Sequence, residues 1–295
     1  MAITGSAAVE KFVTETKHGL ALAERFVAGN TLDEAVSVAR ALNTDGFLVS
    51  LDLLGEEVTD RASALDATED YLECLDRIAS DGLDANISVK PTQLGLAFDE
   101  TLAMAAIENL GARAAQHHTS VTIDMEDSRY TEATIRLFEK GQASQGNLGI
   151  ALQSCLRRTT VDLDRVIPLG GHIRLCKGAY LEPPEVALTS KRDVDQAYSE
   201  QLRTLMASPS TTPAIATHDG SLIDLARELA STREQPFEFQ MLYGVRPELQ
   251  HQLVSAGFPL RIYLPFGSEW YPYLTRRLAE RPANAMFLAR AVFGR

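Results

Sequence analysis

Eight short apolar runs rich in β-branched residues alternate with longer stretches of helical periodicity, and this alternation restricts the chain to a parallel sheet built from βα units. The runs are GFLVSLDLLG (from Gly46), NISVKPTQLG (from Asn86), SVTIDMED (from Ser120), LGIALQSC (from Leu148), HIRLCKGAY (from His172), AIATHD (from Ala214), FEFQMLYG (from Phe237) and LRIYLPFG (from Leu260). They start roughly 22 to 42 residues apart, which suits a strand, a loop, a helix and a return. Between them, ALDATEDYLECLDRIASDG and FDETLAMAAIENLGARAAQHH carry apolar residues at three- and four-residue intervals, with acids near the start as the helix dipole favours. Eight such strands close most simply into a (β/α)8 TIM-type barrel, with a doubly wound open sheet as the alternative that periodicity leaves open. Residues 1–45, containing VEKFVTETKHGLALAERFVAG and TLDEAVSVARAL, read as a helical N-terminal extension, and 46–295 as one barrel domain.

Charge narrows the range of partners. With 28 Lys+Arg against 40 Asp+Glu, the net charge of −12 repels phosphate backbones and anionic bilayers at long range, so no nucleic-acid partner is expected. Cys74, Cys155 and Cys176 lie far apart without CxxC spacing, which fits a reducing cytoplasm and excludes a disulfide framework or a four-thiolate zinc site. The N-terminus MAITGSAAVEKFVTETKHG has no basic leader before an apolar stretch, and no run of about 18 apolar residues occurs, so neither export nor a membrane span is expected.

In a barrel, chemistry collects where strands end and βα loops begin. Lys90 ends the second run, Asp124, Glu126 and Asp127 the third, Gln153 the fourth, and Arg174 and Lys177 the fifth. Thr217, His218 and Asp219 end the sixth, and Gln240 the seventh. Any one of these reads equally well as a brace at the barrel mouth. An inward charge costs several kcal/mol unless it is paired or bound, so this many imply a polar ligand or a tight ion-pair network, and their convergence on one end is what an active site would show. In the last helix, WYPYLTRRLAERPAN, the pair Arg276 and Arg277 precedes Glu280. Spacing alone leaves open a solvated basic face or a fork-shaped clamp for a carboxylate.

Several signals fail. There is no GxGxxG after a strand, no GxxxxGK[ST] and no GxSxG. His117 and His118 are adjacent and diverge on a helix, so no metal is expected, and Cys176 reads as packing. Two further readings stay open. One is a Schiff-base lyase or aldolase using Lys90 or Lys177; the other is a non-catalytic barrel that binds flavin or a small anion.

Taken together, VSLDLLGE, ISVK, IDMED, LQSCLRRT, RLCKGAY, ATHD, EFQMLYG, RIYLPFG and WYPYLTRRLAERPAN resemble, in order and spacing from residue 46 to about 284, the proline dehydrogenase family, in particular its short monofunctional bacterial members. The resemblance implies a distorted (β/α)8 barrel with its last helix over the mouth, holding FAD without a Rossmann motif. It implies oxidation of L-proline to 1-pyrroline-5-carboxylate, the first step of proline catabolism, with electrons passed to a membrane quinone. It also implies a separate pyrroline-5-carboxylate dehydrogenase for the next step, and a cytoplasmic protein that touches the inner face of the cell membrane.

Carried over by motif, Lys90, Arg276 and Arg277 would pair with the proline carboxylate, and Tyr263, Tyr273 and Leu242 would wall its ring. Glu280 and Glu56 would hold the arginines, with Glu56 as the gate. Arg174 against the reactive ring nitrogen, with Asp124 in the same network, form the implied catalytic pair. Gln153, Lys177, Gly178, Ala179, Thr217, His218 and the backbone at Met125 would hold the rest of the cofactor. Two positions depart from the pattern: Asp219 where many relatives carry Asn, and Leu181 where the larger bifunctional members often carry Trp.

Overall fold

The structure is a computed structural model that describes residues 23–279, with side chains described as far as Thr275. Its centre is a closed barrel of eight parallel strands in sequence order. They are β1 (Leu48–Leu53), β2 (Ala85–Val89), β3 (Val121–Ile123), β4 (Leu148–Gln153), β5 (His172–Cys176), β6 (Thr212–Ala216), β7 (Glu238–Leu242) and β8 (Leu260–Phe266). Closure is made by β1 and β8, registered from Leu48 opposite Arg261 to Leu53 opposite Phe266. Each of the eight apolar runs read from the sequence overlaps one of these strands, with β2 and β6 beginning one and two residues earlier than the runs did.

Alternation along the strands separates two interiors. Val49, Leu51, Ile87, Val89, Ile150, Ile173, Ile215, Phe239 and Ile262 are fully buried and belong to the apolar layer between sheet and helices. The alternate positions point into the barrel and are polar: Ser50, Asp52, Asn86, Ser88, Thr122, Asp124, Arg174, Glu238, Gln240 and Arg261. They bond to one another between neighbouring strands, as in Ser50 to Ser88 at 2.9 Å and Asn86 to Thr122 at 3.3 Å. The apolar layer supplies the stability, about 2–5 kcal/mol for each Ile or Leu cut back to Ala. The polar column supplies the site.

The helices follow from local signals. α1 (Leu32–Thr44) starts at a capping box of Thr31 and Glu34 and buries Ala35, Val36 and Ala39 in the same apolar layer, against β1 and β8. α2 (Arg61–Ser80) is capped by Asp60 and α3 (Glu100–Gln116) by Asp99. Then come α4 (Thr131–Gln145), α5 (Thr159–Val166), α6 (Lys191–Ala207), α7 (Gly220–Ala230) and α8 (Pro247–Ser255).

The last described helix, α9 (Trp270–Ala279), lies over the C-terminal mouth instead of outside the ring. Its Tyr273 and Leu274 pack on Leu54 after β1, on Val245 after β7, and on Phe26 and Val27. The chain at 25–29 is itself pinned there: Ala28 N–H donates to Pro265 at 2.8 Å, and Gly267 N–H to Gly29 at 3.0 Å. Gly244, at φ +71°, sits so close that a Cβ would lie 1.7 Å from the Arg25 carbonyl oxygen.

Candidate active site

The C-terminal ends of the strands enclose a cavity of about 660 Å3, within the range of small-molecule sites. Every site residue expected from the sequence whose side chain is described lines it. Glu56 comes from the loop after β1, Lys90 from the end of β2, Asp124 and Met125 from β3, and Gln153 from β4. Arg174, Lys177, Gly178 and Ala179 come from β5, Thr217 and His218 from β6, Leu242 from β7, Tyr263 from β8 and Tyr273 from α9. The side chains of Arg276 and Arg277, and the whole of Glu280, lie outside the described residues.

Arg174 is boxed in from four sides. Its Nε–H donates to Gln240 Oε1 at 2.5 Å, Nη2 donates to Ser88 Oγ at 2.8 Å, and Nη1 is ion-paired with Asp124. The Tyr263 ring lies beside the guanidinium, 5.1 Å from centroid to Cζ, and its hydroxyl donates to Asp124 Oδ2 at 2.7 Å. Burial, reinforced by Asp124 and Asp52, pushes the Tyr263 phenol well above its usual pKa, so it remains a donor. Both Nη atoms keep an N–H beyond these bonds, as a site for an electron-rich ligand requires.

Lys90 is held by a residue that motif reading did not single out. Asp52 Oδ1 lies 2.5 Å from its Nζ, and the other oxygen, Oδ2, is buried without a partner. Burial opposes the ammonium, but Asp52 and Asp124 outweigh it and raise its pKa. The signal for Asp52 was present: a single acid inside the apolar run LVSLDLL must find a cation. Glu126 was another residue given no role. It accepts from Thr92 N at 2.9 Å and Thr92 Oγ1 at 2.5 Å, and burial pushes its pKa up to about 7.

A second charge cluster forms the rim at β5 and β6. Lys177 Nζ lies 2.5 Å from Asp195 and 2.9 Å from Asp219, and Lys191 at the start of α6 reaches both acids. Asp219 also caps α7 through Ser221 N–H at 3.1 Å. Beside it, Gly178 has φ +113°, and a Cβ there would come within 2.3 Å of Cys155 Sγ, so only glycine lets the backbone pass. His218 Nε2 accepts from Leu242 N–H at 3.1 Å, which puts its proton on Nδ1. Cys176 donates to the Leu152 carbonyl, and burial lifts its thiol to about 12, so it packs and does not attack. Leu181, just beyond, is 80% exposed.

The cavity thus joins an apolar wall (Met241, Leu242, Tyr273) to buried cations and to a lysine-bearing rim. That set fits a long ligand with a flat apolar part and an anionic part, and FAD is such a ligand.

Comparison with known proteins identifies the family. The family model described as proline dehydrogenase matches residues 35–290. Proline dehydrogenase 1 of Bacillus subtilis subsp. natto is 37% identical over 273 residues, covering 92% of this chain and 90% of that one. Proline dehydrogenase of Deinococcus radiodurans is 36% identical over 279 residues, again covering 92% and 90%. Among solved structures, proline utilization A from Bdellovibrio bacteriovorus inactivated by N-propargylglycine superposes with a TM-score of 0.85 at 24% identity, over 94% of this chain and 34% of that longer one. The chain belongs to the proline dehydrogenase family.

Proposed function

We propose that this barrel oxidises L-proline to 1-pyrroline-5-carboxylate, with FAD seated in the mouth and a membrane quinone as the final electron acceptor. The observation that carries the reading is that the Lys90 ammonium and the boxed Arg174 guanidinium open into one cavity, walled by Tyr263, Leu242 and Tyr273. Lys90 offers a fixed positive charge to a carboxylate. Arg276 and Arg277, carried by α9, complete the carboxylate clamp in this reading. Glu280 and Glu56 steady those arginines, and Glu56 is the gate.

When bound, FAD supplies the redox chemistry, accepting the hydride from the ring carbon next to nitrogen. The protein supplies orientation and field. Clamping the carboxylate at one end and walling the ring with Tyr263, Tyr273 and Leu242 fixes which carbon faces the acceptor, making the transfer effectively intramolecular. Arg174, prevented from reorienting by Asp124, Gln240 and Ser88, presents positive charge where negative charge grows, an effect of about 2.7–4 kcal/mol per donor in comparable sites. Positive charge from Lys90 and the arginines favours the neutral substrate amine. Gln153, Lys177, Gly178, Ala179, Thr217, His218 and the Met125 backbone hold the remainder of the cofactor.

A Schiff-base role for Lys90 is disfavoured, because Asp52 keeps it an ammonium and such catalysis needs the free amine. Cytoplasmic placement with peripheral contact at the inner membrane face belongs to the same proposal. It is supported by three unpaired thiols, and no helix among the described residues is long and apolar enough to cross a membrane. The product is the substrate for a pyrroline-5-carboxylate dehydrogenase, the partner this reading implies.

The test is anaerobic. The purified protein is expected to be yellow and to bleach when L-proline is added. A colourless protein that borohydride traps with a carbonyl substrate would establish the lyase. Bound flavin that no cyclic amino acid reduces would establish a binding barrel.

A further inference from the structure

The polar column does not stop at Arg174. Its Nε–H donates to Gln240 Oε1 at 2.5 Å, and Gln240 Nε2 donates to Glu238 Oε1 at 2.6 Å, one strand repeat deeper in the barrel. Glu238 in turn takes two bonds from Arg261, at 2.8 and 3.1 Å, and Arg261 Nη1 donates to the Val49 carbonyl at 2.9 Å. Arg174, Gln240 and Glu238 are all buried.

Donor and acceptor types polarise this chain. A guanidinium N–H can only donate, so the Gln240 oxygen must face Arg174. A carboxylate can only accept, so the Gln240 amide nitrogen must face Glu238. Arg261 holds Glu238 ionised: burial raises its pKa, but the guanidinium outweighs burial and leaves it below the usual value. Remove that charge and only Arg174 is left to orient the Gln240 amide, whose other end then faces a side chain that can donate as well as accept. Once flipped, it sets an N–H against the N–H of Arg174.

We propose that Gln240 and Glu238 are positioning residues that hold the Arg174 guanidinium in register from below, and that through it they set the reduction potential of the bound flavin. This rests on the proposed proline oxidation with FAD in the mouth. Neither residue is needed to grip proline, so its signature is in the potential and kcat, with little change in KM.

The experiment compares wild type, E238Q, E238D and Q240M, each loaded with FAD, by equilibrium reductive titration against reference dyes and by steady-state kinetics with proline. E238Q and Q240M preserve volume; should one fail to fold, the other decides. Both are expected to disfavour the reduced flavin by about tenfold, ~30 mV more negative for a two-electron couple. KM for proline is expected to stay within about twofold. E238D keeps the charge and is expected to recover more than half of the shift. Variants that are yellow, are bleached by proline and have unmoved potentials would overturn the relay while leaving the proposed activity intact. A wild-type protein whose flavin proline does not reduce would remove the activity, and the relay with it.

Discussion

Asp52 reaches from β1 to within 2.5 Å of the Lys90 ammonium at the end of β2, with both side chains almost sealed from solvent. Breaking one side of such a pair leaves an uncompensated buried charge, at about 3–5 kcal/mol. D52N is therefore expected to lose that much in urea unfolding, while the double variant D52L/K90M recovers most of it. Proline binding separates structure from recognition. The double variant, stable again, should still raise KM for proline at least about tenfold, since the clamp has lost a cation. Wild-type KM in the double variant would remove Lys90 from the clamp.

R276M and R277M test the other end of the proposed carboxylate clamp. Each is expected to weaken a competitive ligand bearing a carboxylate by about 10- to 100-fold, the scale of a lost charge-assisted bidentate bond. Pyrrolidine, which has no carboxylate, should lose little. Inhibition constants for both ligands suffice, and equal losses would refute the assignment.

Glu126 gives a pH signature. A solvated glutamate ionises near 4.5, whereas burial holds this carboxyl at about 7 despite two bonds from Thr92. The folded state therefore keeps a proton that the unfolded chain releases. The resulting stability is complete below about pH 4.5 and is lost as pH rises through about 7. E126Q cannot titrate, so its unfolding free energy relative to wild type should rise across that window, by about 3 kcal/mol at most, and then level off. Urea midpoints at several pH values check this. A difference that does not vary with pH would rule it out.

Glu182 ties two loops together over the mouth. Its carboxylate accepts from Ser128 N–H and Ser128 Oγ, both at 2.6 Å, joining the exit of β5 to that of β3. The same β5–α6 loop lies along the end of β4, with Leu188 N–H donating to Cys155 at 2.7 Å, and it carries Gly178 and Ala179. Cutting the tie with E182A is expected to speed flavin release about fivefold, close to 1 kcal/mol for one pinning interaction. Recovery of free-flavin fluorescence after dilution gives the rate. Unchanged release would mean that the loop is held elsewhere.

The barrel was legible because parallel strands buried on both sides leave apolar runs, and because the polar residues that end those runs share one mouth. Lys90, Asp124, Gln153 and Arg174 stood out in this way. Asp52, Glu238 and Arg261 did not, since they lie inside or at the start of a run, where a charge reads as a boundary until its partner from the neighbouring strand is known. The Ser128–Glu182 tie joins residues 54 apart, and neither position carries a local signal. α1, read as part of the helical N-terminal extension, packs its apolar stripe on β1 and β8.

Asp219 sits at the centre of the charge cluster on the rim. It lies 2.9 Å from Lys177 and 3.5 Å from Lys191, and these two cations together with Asp195 leave the rim close to neutral. Lys177, through its hydrogen bond, is the main cause holding the Asp219 carboxyl below its ordinary pKa, so at neutral pH the acid is charged and competes with any anionic ligand for the lysines. D219N keeps an oxygen for the Ser221 cap but removes the charge. FAD binding to the apoprotein should then tighten by about two- to fivefold at low ionic strength, the scale of a part-exposed ion pair. Salt should erase the gain, because screening reaches these half-open groups. Riboflavin, which carries no phosphate, should bind both forms alike. Equal tightening for riboflavin would show that the substitution reshapes the cavity and does not act through the charge on Lys177.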